Sequence, residues 1–307
     1  MKVYLNSAKE NWVVDRFRKE WYTSNTSIST KLINKSDIVW IISPWTWRKI
    51  NINKLSNKKV ICSIYHLDED KFSENDLNEF NFRDKYVDIY HVISINTKKQ
   101  IEKLTDKPVI SIPFWVNKKI WYKIDEKNKL REKFKLDVDA FIVGSFQRDT
   151  EGKDLISPKL SKGPDQFLKI VEKYKENNKK VTVLLTGKRR NYIIENLERL
   201  EIPFSYFEMV SFKELNELYN CLDLYVVSSR YEGGPQAIME CAATRTPIIS
   251  TDVGIASEVL ERKSIFNMNT FMNAEPNVDY AFQKVQEYLI PSGFDNFRKI
   301  MNEVYES

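Results

Sequence analysis

Short apolar runs alternate along the whole chain with longer amphipathic segments, and this alternation constrains the fold more than any other feature. The runs in the first half are "KVYL", "DIVWIIS", "KVICSIY", "DIYHVIS" and "KPVISI". Those in the second half are "AFIVGSF", "KVTVLLTG", "PFSYFEM", "DLYVVSS" and "TPIIST". Between them lie helical patterns such as "GPDQFLKIVEKYKENN" and "SFKELNELYNCL". Strands separated by helices predict parallel sheets with right-handed crossovers.

Two such series in one chain predict an α/β protein with two Rossmann-like domains. The length of 307 residues and the hydrophobic fraction of 42% suit two domains with substantial cores. The first domain is predicted over residues 1–125 and the second over 135–290, with the charged stretch 118–139 as the linker. The tail 291–307 follows a Pro and Gly break and is predicted to form a helix that packs back on the first domain.

Several classes of protein are disfavoured by the composition. The sequence has no run of eighteen or more apolar residues, so no membrane span is predicted. The N-terminus, "MKVYLNSAKENW", lacks the apolar core of a signal peptide. Cys62, Cys221 and Cys241 are an odd number and lie in apolar runs, which is typical of reduced, buried thiols. We therefore expect a cytoplasmic protein.

The positive charge is concentrated near the N-terminus. The net charge is +5, and residues 1–60 alone carry 12 basic and 4 acidic groups. This excess is either a solvated basic face or a surface for an anionic partner such as an anionic membrane, a lipid phosphate or an acidic glycan. Nucleic acid is not an expected partner, because no nucleic-acid-binding motif accompanies the charge.

Glycine is distributed as unevenly as charge. All eight glycines lie at position 144 or later, so the first domain has neither a GxGxxG motif nor a P-loop. Ligands of open α/β sheets bind outside the carboxyl ends of the strands. If a nucleotide binds, its phosphates are therefore expected at the second domain, and the first domain is expected to hold the acceptor.

The segment "SSRYEGGPQAIMECAATRTP" combines a strand end, a glycine turn and a helix start. Pro235 suits the first helical position, and the helix N-terminus offers free amides to an anion. Gly233 and Gly234 allow close backbone approach because they have no Cβ. Glu232 lies in the turn, and Glu240 lies about one and a half turns into the helix. A carboxylate at that place could accept two neighbouring ribose hydroxyls.

Two Glu eight positions apart, with glycine after the first, resemble the motif of the retaining family-four (group 1) glycosyltransferases of the GT-B fold. The stretch "CLDLYVVSSRYEGGPQAIMECAATRTPIISTDVGIASEVL" looks like the donor block of that family almost throughout. "VSFKELNELY", "FIVGSF" and "KGPDQFLKIVEKY" resemble other segments of the same half. The resemblance covers most of residues 55–260 and implies two Rossmann-like domains that face each other across a cleft.

The resemblance also implies roles for individual residues of the motif. Glu240 would bind the ribose of a nucleotide-diphosphate sugar, and Glu232 would contact the transferred sugar or the reacting face. Gly233, Gly234, Pro235 and the backbone amides that follow Pro235 would hold the sugar and the diphosphate.

Further roles follow from segments outside the motif. Lys162 would neutralise the diphosphate, and the backbone at Val210 and Ser211 would meet the base. His66 follows the strand "KVICSIY" and resembles a family histidine that contacts the transferred sugar or the acceptor. Its alternative is an ordinary histidine with satisfied hydrogen bonds at a strand end.

The sequence departs from the family pattern around the phosphate site. Ser145 stands where the family usually has arginine and is kept as a donor-binding candidate, and Arg148 is the nearest arginine that could reach the diphosphate. The segment "RDTEGKDLISPKLSKG" is longer than usual, so Lys153 competes with Lys162 for the role of phosphate ligand. Lys162 is the preferred choice because "KGPDQFL" opens a helix as the family's lysine does.

The acceptor side is less well defined by the sequence. The usual glycine-rich first loop is absent around Ser7 and Trp12, which are the acceptor-side candidates. Trp45 and Trp47 could stack on a sugar, dip into a membrane surface or simply pack in the core. His91 lies inside a strand pattern and is interpreted as structural.

The expected chemistry is metal-independent glycosyl transfer without a cofactor. No DxD motif stands in a suitable loop, since "DVD" precedes a strand. The resemblance implies retention at the anomeric carbon and a glycan, lipid-linked or other hydroxyl acceptor. Two alternatives stay open, a GT-B sugar-nucleotide epimerase and a non-catalytic protein that binds sugar nucleotides or glycans.

Overall fold

The computed structural model describes residues 1–10, 13–177 and 180–307 of the chain. It divides into two compact units. The first consists of residues 1–115 and 290–307, and the second consists of residues 116–289.

The first unit is a five-stranded parallel sheet with helices on both faces. Its strands, which pair in chain order, are β1 (Val3–Leu5), β2 (Ile38–Ile41), β3 (Lys59–Ile64), β4 (Ile89–Val92) and β5 (Val109–Ser111). Its helices are α1 (Val13–Ser24), α2 (Glu74–Asp84), α3 (Ile95–Ile101) and the C-terminal helix, which is α11 (Asp295–Glu306).

The order in which the chain adds segments to the sheet reverses at β1. Ser29 forms an isolated parallel bridge with Val3, although Val3 also pairs with Ile38 of β2. The chain therefore moves outward from β1 before it returns to the other side of β1 as β2. Such reversals create a crevice at the carboxyl ends of the two strands.

Both faces of this sheet are apolar, as expected for parallel strands that are covered on each side. On one face Trp40 packs against Trp21 of α1 and Phe297 of α11, with ring centroids 5.4 and 5.2 Å apart. On the other face Phe80 of α2 stacks on Tyr90 at 5.2 Å. The structure thus places the C-terminal helix in the first unit, against the sheet.

The second unit is a six-stranded parallel sheet in the order β11-β10-β9-β6-β7-β8. Its strands are β6 (Phe141–Ser145), β7 (Val181–Thr186), β8 (Phe204–Phe207), β9 (Leu224–Val227), β10 (Ile248–Thr251) and β11 (Ile265–Phe266). Its helices are α4 (Lys127–Lys133), α5 (Pro164–Glu176), α6 (Asn191–Arg199), α7 (Phe212–Cys221), α8 (Gln236–Thr244), α9 (Ala256–Val259) and α10 (Val278–Val285).

All ten predicted strands are present, so the expected α/β class with two parallel sheets is confirmed. The structure adds β11, which the sequence did not predict because two residues are too few to show a period.

The boundary between the units lies at residue 115, ten residues before the predicted end of the first domain. The charged stretch 118–139 belongs to the second unit and is not a linker. Trp121 packs edge-on against Tyr219 at 5.8 Å. Arg131 is buried, and its guanidinium donates to the Cys221 carbonyl and to Asp223 at 2.8 and 2.6 Å. Tertiary partners fix this stretch despite its polar composition.

Candidate active site

The second sheet also has an order reversal, between β6 and β9. The chain runs from β6 through β7 to β8 in one direction and from β9 through β10 to β11 in the other. The carboxyl ends of β6 and β9 therefore open a crevice where ligands of such sheets bind. The loops after these two strands carry most of the residues that the sequence singled out.

A tight turn places Lys162 beside the end of β9. Gly163 follows it with φ of +61°, and a Cβ at Gly163 would lie only 1.8 Å from the carbonyl oxygen of Ser228. The Ser228 hydroxyl donates to the Gly163 carbonyl at 2.8 Å, and the Gln166 amide donates to the Ser228 carbonyl at 2.7 Å. Only glycine combines this backbone conformation with such close approach.

Further hydrogen bonds fix the segment before α5 to the loop after β9. Arg230 forms a bidentate pair with Asp165 at 2.8 and 2.7 Å. The backbone amides of Arg230 and Tyr231 both donate to the Ser161 carbonyl, at 2.9 and 3.1 Å. A bidentate arginine and carboxylate pair fixes geometry as well as charge. The positions of residues 160–166 and 228–232 are therefore mutually determined.

Lys162 and Glu232 form a charged pair where these two loops meet. The Lys162 ammonium donates to Oε1 of Glu232, and the two side chains are 24% and 12% exposed. The Ser229 hydroxyl lies 3.4 Å from the same carboxylate oxygen. Two residues that are seventy positions apart in sequence thus form one partly buried charged pair.

The glycine turn is packed against the loop after β10. Gly254 has φ of +53°, and a Cβ there would lie 2.5 Å from the Gly233 carbonyl oxygen and 2.7 Å from the Gly234 nitrogen. Helix α8 begins at Gln236, so Pro235 is its N-cap, one residue before the predicted position. The peptide groups at Gly233 and Gly234 therefore have a fixed place directly before the helix.

Glu240 lies inside α8 and is 7% exposed. Its Oε2 accepts a hydrogen bond from the Tyr219 hydroxyl at 2.9 Å. Burial raises the pKa of Tyr219 well above its usual range, and the neighbouring carboxylate raises it further, so the phenol remains a donor. A carboxylate offers about four acceptor sites, so this bond orients Glu240 without using its full capacity.

Cations gather around Lys162. The pKa of Lys159 is lowered by burial and then by the positive charges of Arg148 and Lys162. Arg148 is exposed, in the same long loop. A site that draws like charges together in this way favours an anionic ligand. Sequence reasoning missed Lys159, and nothing in the local pattern distinguished it from the other lysines of this loop.

Ser145 does not contribute its side chain to this cluster. It is buried, its carbonyl accepts from Arg190 at 2.5 Å, and its hydroxyl lies 3.4 Å from the same guanidinium. Arg190 is fully buried and also pairs with Asp149 at 2.8 Å. The Ser145 side chain therefore belongs to a buried network that anchors the base of the long loop, and the donor-binding role of Ser145 stays a prediction.

The structure separates the two competing lysines. Lys153 is exposed in the long loop, after Gly152, whereas Lys162 is half-buried beside Glu232. The side chains therefore favour Lys162 for the role of phosphate ligand.

Val210 and Ser211 lie at the start of α7. The Ser211 hydroxyl accepts from the Glu214 amide at 3.2 Å, and the Glu214 carboxylate accepts from the Ser211 amide at 2.9 Å. This capping box occupies the Ser211 side chain, so only the backbone there is a candidate for base recognition.

In the first unit the predicted residues are distributed over the carboxyl edge of the sheet. Ser7 follows β1, and its carbonyl lies 3.5 Å from the Thr46 hydroxyl. His66 follows β3 and is exposed. Trp12 lies outside the described residues.

The remaining candidates of the first unit have contrasting environments. Trp47 is buried at 2% exposure and donates to Glu79 at 2.6 Å, whereas Trp45 is 50% exposed. His91 is fully buried, with Nε2 2.8 Å from the Ile112 carbonyl and Nδ1 2.8 Å from the Ser63 hydroxyl. Burial lowers the pKa of His91 to about 4, so it is neutral at pH 7.

Three further observations concern metal, thiol and membrane chemistry. Within residues 1–10, 13–177 and 180–307, no group of three or more His, Cys, Asp and Glu could hold a metal ion. Cys62, Cys221 and Cys241 are buried and unbridged, and burial raises the pKa of Cys62 to about 11. Among the helices of those same residues, none has the length and apolar character needed to cross a bilayer.

Comparisons with known proteins agree with this geometry. Residues 154–289 match the family described as Glycosyl transferases group 1. The chain is 23% identical over 303 residues to the O-antigen chain mannosyltransferase RfbU of Salmonella typhimurium, and the match covers 91% of this chain and 81% of that protein.

Solved structures share the fold. The Anabaena protein HepE, crystallised with UDP and glucose, superposes with a TM-score of 0.76 at 11% identity, over 98% of this chain and 99% of that one. Sucrose-phosphate synthase from Thermosynechococcus elongatus gives a TM-score of 0.68 at 15% identity, over 95% and 76% of the two chains. The fold is therefore that of the GT-B glycosyltransferases, and the second unit carries the match to the group 1 glycosyltransferase family.

Proposed function

We propose that the protein transfers a sugar from a nucleoside-diphosphate sugar to a hydroxyl group of a glycan or lipid-linked acceptor, with retention at the anomeric carbon and without a metal. The observation that carries this proposal is the pair formed by Lys162 and Glu232 at the order reversal of the second sheet. It lies within the region that matches the group 1 family.

The donor is bound by the glycine turn at Gly233 and Gly234 and by helix α8, which follows it. The diphosphate takes the fixed peptide groups at Gly233 and Gly234 and the amides that open α8, because these groups carry partial positive charge. Glu240, oriented by Tyr219, accepts the ribose hydroxyls. The nucleoside-diphosphate ligands of the solved relative HepE are of the class proposed here.

The leaving group is stabilised by cations of the chain. Negative charge grows on the diphosphate as the glycosidic bond breaks, and fixed cations lower the energy of that transition state. Lys162 supplies the nearest ammonium, with Lys159 and Arg148 beside it. Glu232, which pairs with Lys162, faces the transferred sugar. The acceptor attacks from the face that the diphosphate leaves, and the departing phosphate takes the acceptor's proton.

Two experiments test the proposal. A thermal-shift screen of UDP, GDP, ADP and CDP should identify one stabilising nucleotide, because a ligand that binds only the folded state raises stability by mass action. The matching nucleotide sugars should then release sugar slowly without an acceptor. Binding without release would favour the non-catalytic alternative, and no binding of any nucleotide would contradict the proposal.

Metal independence has its own test. Turnover should be the same in EDTA as in buffer without chelator, since the proposed charge stabilisation comes from side chains and amides. Loss of turnover on chelation, restored by Mg²⁺ or Mn²⁺, would show that a metal supplies it instead.

We also propose that the protein acts in the cytoplasm at an anionic membrane surface. The support is the basic excess of residues 1–60. Three of these lysines, Lys35, Lys58 and Lys59, line an open cavity of about 710 Å³ at the amino edge of the first sheet. Sedimentation with anionic vesicles should exceed that with neutral vesicles and fall as salt rises, because screening shortens to about 8 Å at physiological ionic strength. Equal sedimentation with both kinds of vesicle, unchanged by salt, would contradict membrane binding and would indicate that the basic residues only form a solvated face.

A further inference from the structure

Trp45 differs from every other tryptophan that the structure describes. Trp21, Trp40, Trp47, Trp115 and Trp121 are each 2% exposed or less, whereas Trp45 is 50% exposed. Burying an aromatic side chain removes a large apolar area from water, so an exposed indole forgoes one of the largest stabilising contributions available to a residue. An exposed tryptophan held in one position therefore points to a ligand.

The indole of Trp45 is held at two places. Its Nε1 donates to Oε1 of Glu10 at 2.9 Å. Its ring packs on Tyr65 with centroids 5.7 Å apart, and Tyr65 in turn stacks on Phe114 at 5.7 Å. The Tyr65 hydroxyl donates to the Ile42 carbonyl at 3.0 Å. The exposed ring is thus the outer member of an ordered aromatic row that begins in the core.

The segment that carries Trp45 is positioned from β1. Asn6 is buried directly after β1, and its amide donates to the Ser43 carbonyl and the Thr46 hydroxyl at 2.9 and 3.0 Å. Its side-chain oxygen accepts from the Ser43 amide at 3.0 Å. The short 3-10 helix Pro44–Lys49 is therefore fixed at the reversal between β1 and β2, where ligands of such sheets bind.

We propose that Trp45 and Glu10 form a binding site for a sugar ring of the acceptor. A pyranose presents C–H groups that pack on the electron-rich face of an indole, and its hydroxyls donate to a carboxylate. Trp45 supplies the face, and Glu10 supplies a carboxylate at its edge. The identification of the ligand as acceptor rests on the proposed transferase function, whereas the binding of a sugar ring does not.

A membrane fits this site less well than a sugar. The group that holds the indole is a carboxylate, which an anionic lipid surface repels and an apolar interface does not solvate. The lysines that line the basic cavity, Lys35, Lys58 and Lys59, precede β2 and begin β3, at the opposite edge of the sheet.

The test uses simple glycosides, so it does not need the natural acceptor. Saturation-transfer NMR would be recorded on the full chain with the methyl α- and β-glycosides of mannose, glucose, galactose and N-acetylglucosamine. At least one should bind, and Trp45→Ala should weaken it about tenfold or more, which corresponds to about 1.4 kcal/mol. Trp45→Phe keeps a ring and should retain most of the affinity. Glu10→Gln should weaken binding by a smaller factor, because it keeps one acceptor oxygen.

Controls separate this inference from its rivals. Leu32→Ala removes another apolar side chain of the first unit, 57% exposed, and should leave glycoside binding unchanged. Each variant should keep the wild-type melting temperature within a few degrees and the wild-type affinity for the nucleotide found by the thermal-shift screen.

Two results would overturn the inference. One is the absence of binding of every glycoside by the wild-type chain. The other is unchanged glycoside binding in Trp45→Ala, including the case in which that variant instead loses sedimentation with phosphatidylglycerol vesicles. Failure of all nucleotides to bind would defeat the proposed function but would leave a glycoside site that depends on Trp45 intact.

Discussion

The carboxyl edges of the two sheets share one topological feature but carry different chemical groups. Each lies at a reversal of strand order. In the second unit the edge is built from glycine turns and charged pairs, with Gly163, Gly233, Gly234 and Gly254 in close backbone contact. In the first unit residues 1–115 contain no glycine, and the edge carries an amide, hydroxyls and an exposed indole.

The ligands proposed for the two edges account for this difference. A diphosphate is recognised by peptide amides and cations, and only glycine lets the backbone come close enough. A sugar hydroxyl or ring is recognised by side chains, which need no such approach. The comparison therefore predicts that the second edge depends on backbone geometry and charge, and the first on side-chain surfaces.

The largest expected effect tests the charge at the second edge. Lys162→Ala should lower turnover at saturating donor by roughly two to three orders of magnitude, as when one preorganised charge-stabilising donor is removed. Lys153→Ala is the matched control, because Lys153 is an exposed lysine of the same loop, and it should change turnover by well under tenfold. If Lys153→Ala is the impaired variant, the phosphate site lies in the loop and not at the helix.

The next test concerns the backbone at the same edge. Gly163→Ala should lower the free energy of unfolding by about 3 kcal/mol, because φ is +61° and the new Cβ would lie 1.8 Å from the Ser228 carbonyl oxygen. Gly187 also has positive φ, +86°, but has no atom within 4 Å of an added Cβ. Gly187→Ala should therefore cost only about 1–2 kcal/mol. Urea denaturation measures the free energy of unfolding of both variants. Equal losses would mean that the close contact at Gly163 does not contribute to the destabilisation.

A third test exploits a side-chain network of the first unit. His91 is buried with a pKa of about 4, below its ordinary value of 6.5, so the folded state resists its protonation. Stability from this group is present above pH 6.5 and is lost as pH falls from 6.5 to 4, by roughly 3 kcal/mol.

The two histidines of the chain provide the comparison for this measurement. Urea denaturation from pH 7 to pH 4 should show a shallower loss of stability in His91→Gln than in the wild type. His66→Gln removes the exposed histidine and should follow the wild-type curve. A wild-type slope in His91→Gln would show that carboxylates alone cause the acid sensitivity.

The smallest expected effect concerns Glu240. Glu240→Gln should keep the fold, because the amide oxygen can still accept from Tyr219, and should weaken nucleotide binding about tenfold through loss of a charged hydrogen-bond acceptor. Glu195→Gln changes an exposed acid of α6 and should have no effect. Calorimetric titration measures both, and unchanged affinity in Glu240→Gln would remove it from the donor site.

Much of the architecture could be read from the sequence. The ten predicted strands, the two parallel sheets and the resemblance of the second half to the group 1 family follow from periodicity and from the motif around Glu232 and Glu240. These features are local, since a strand pattern or a helix start is written in neighbouring residues. The same is true of the preference for Lys162, which precedes a glycine at a helix start.

What the sequence could not determine depends on contacts between distant segments. Ser145 contacts the buried Arg190, forty-five positions away, through its carbonyl and its hydroxyl. Arg148 joins Lys159 and Lys162 only because the long loop folds back on itself, with the Lys159 amide donating to the Asp149 carbonyl at 2.7 Å. Residues 116–125 belong to the second unit because Trp121 and its neighbours find partners on α7.

Trp45 and Trp47 show most clearly what local sequence signals could not predict. Two tryptophans two positions apart have the same local signals, and the sequence left stacking and core packing open for both. Trp47 belongs to the core cluster that includes Val39, Val60 and Phe80, whereas Trp45 contacts Glu10 and Tyr65 and stays exposed. All of these partners lie on other elements. The sequence by itself determined which elements form and which chemical groups they carry. The tertiary structure alone decided which of those groups share a surface, because burial and pairing are properties of segments that only the fold brings together.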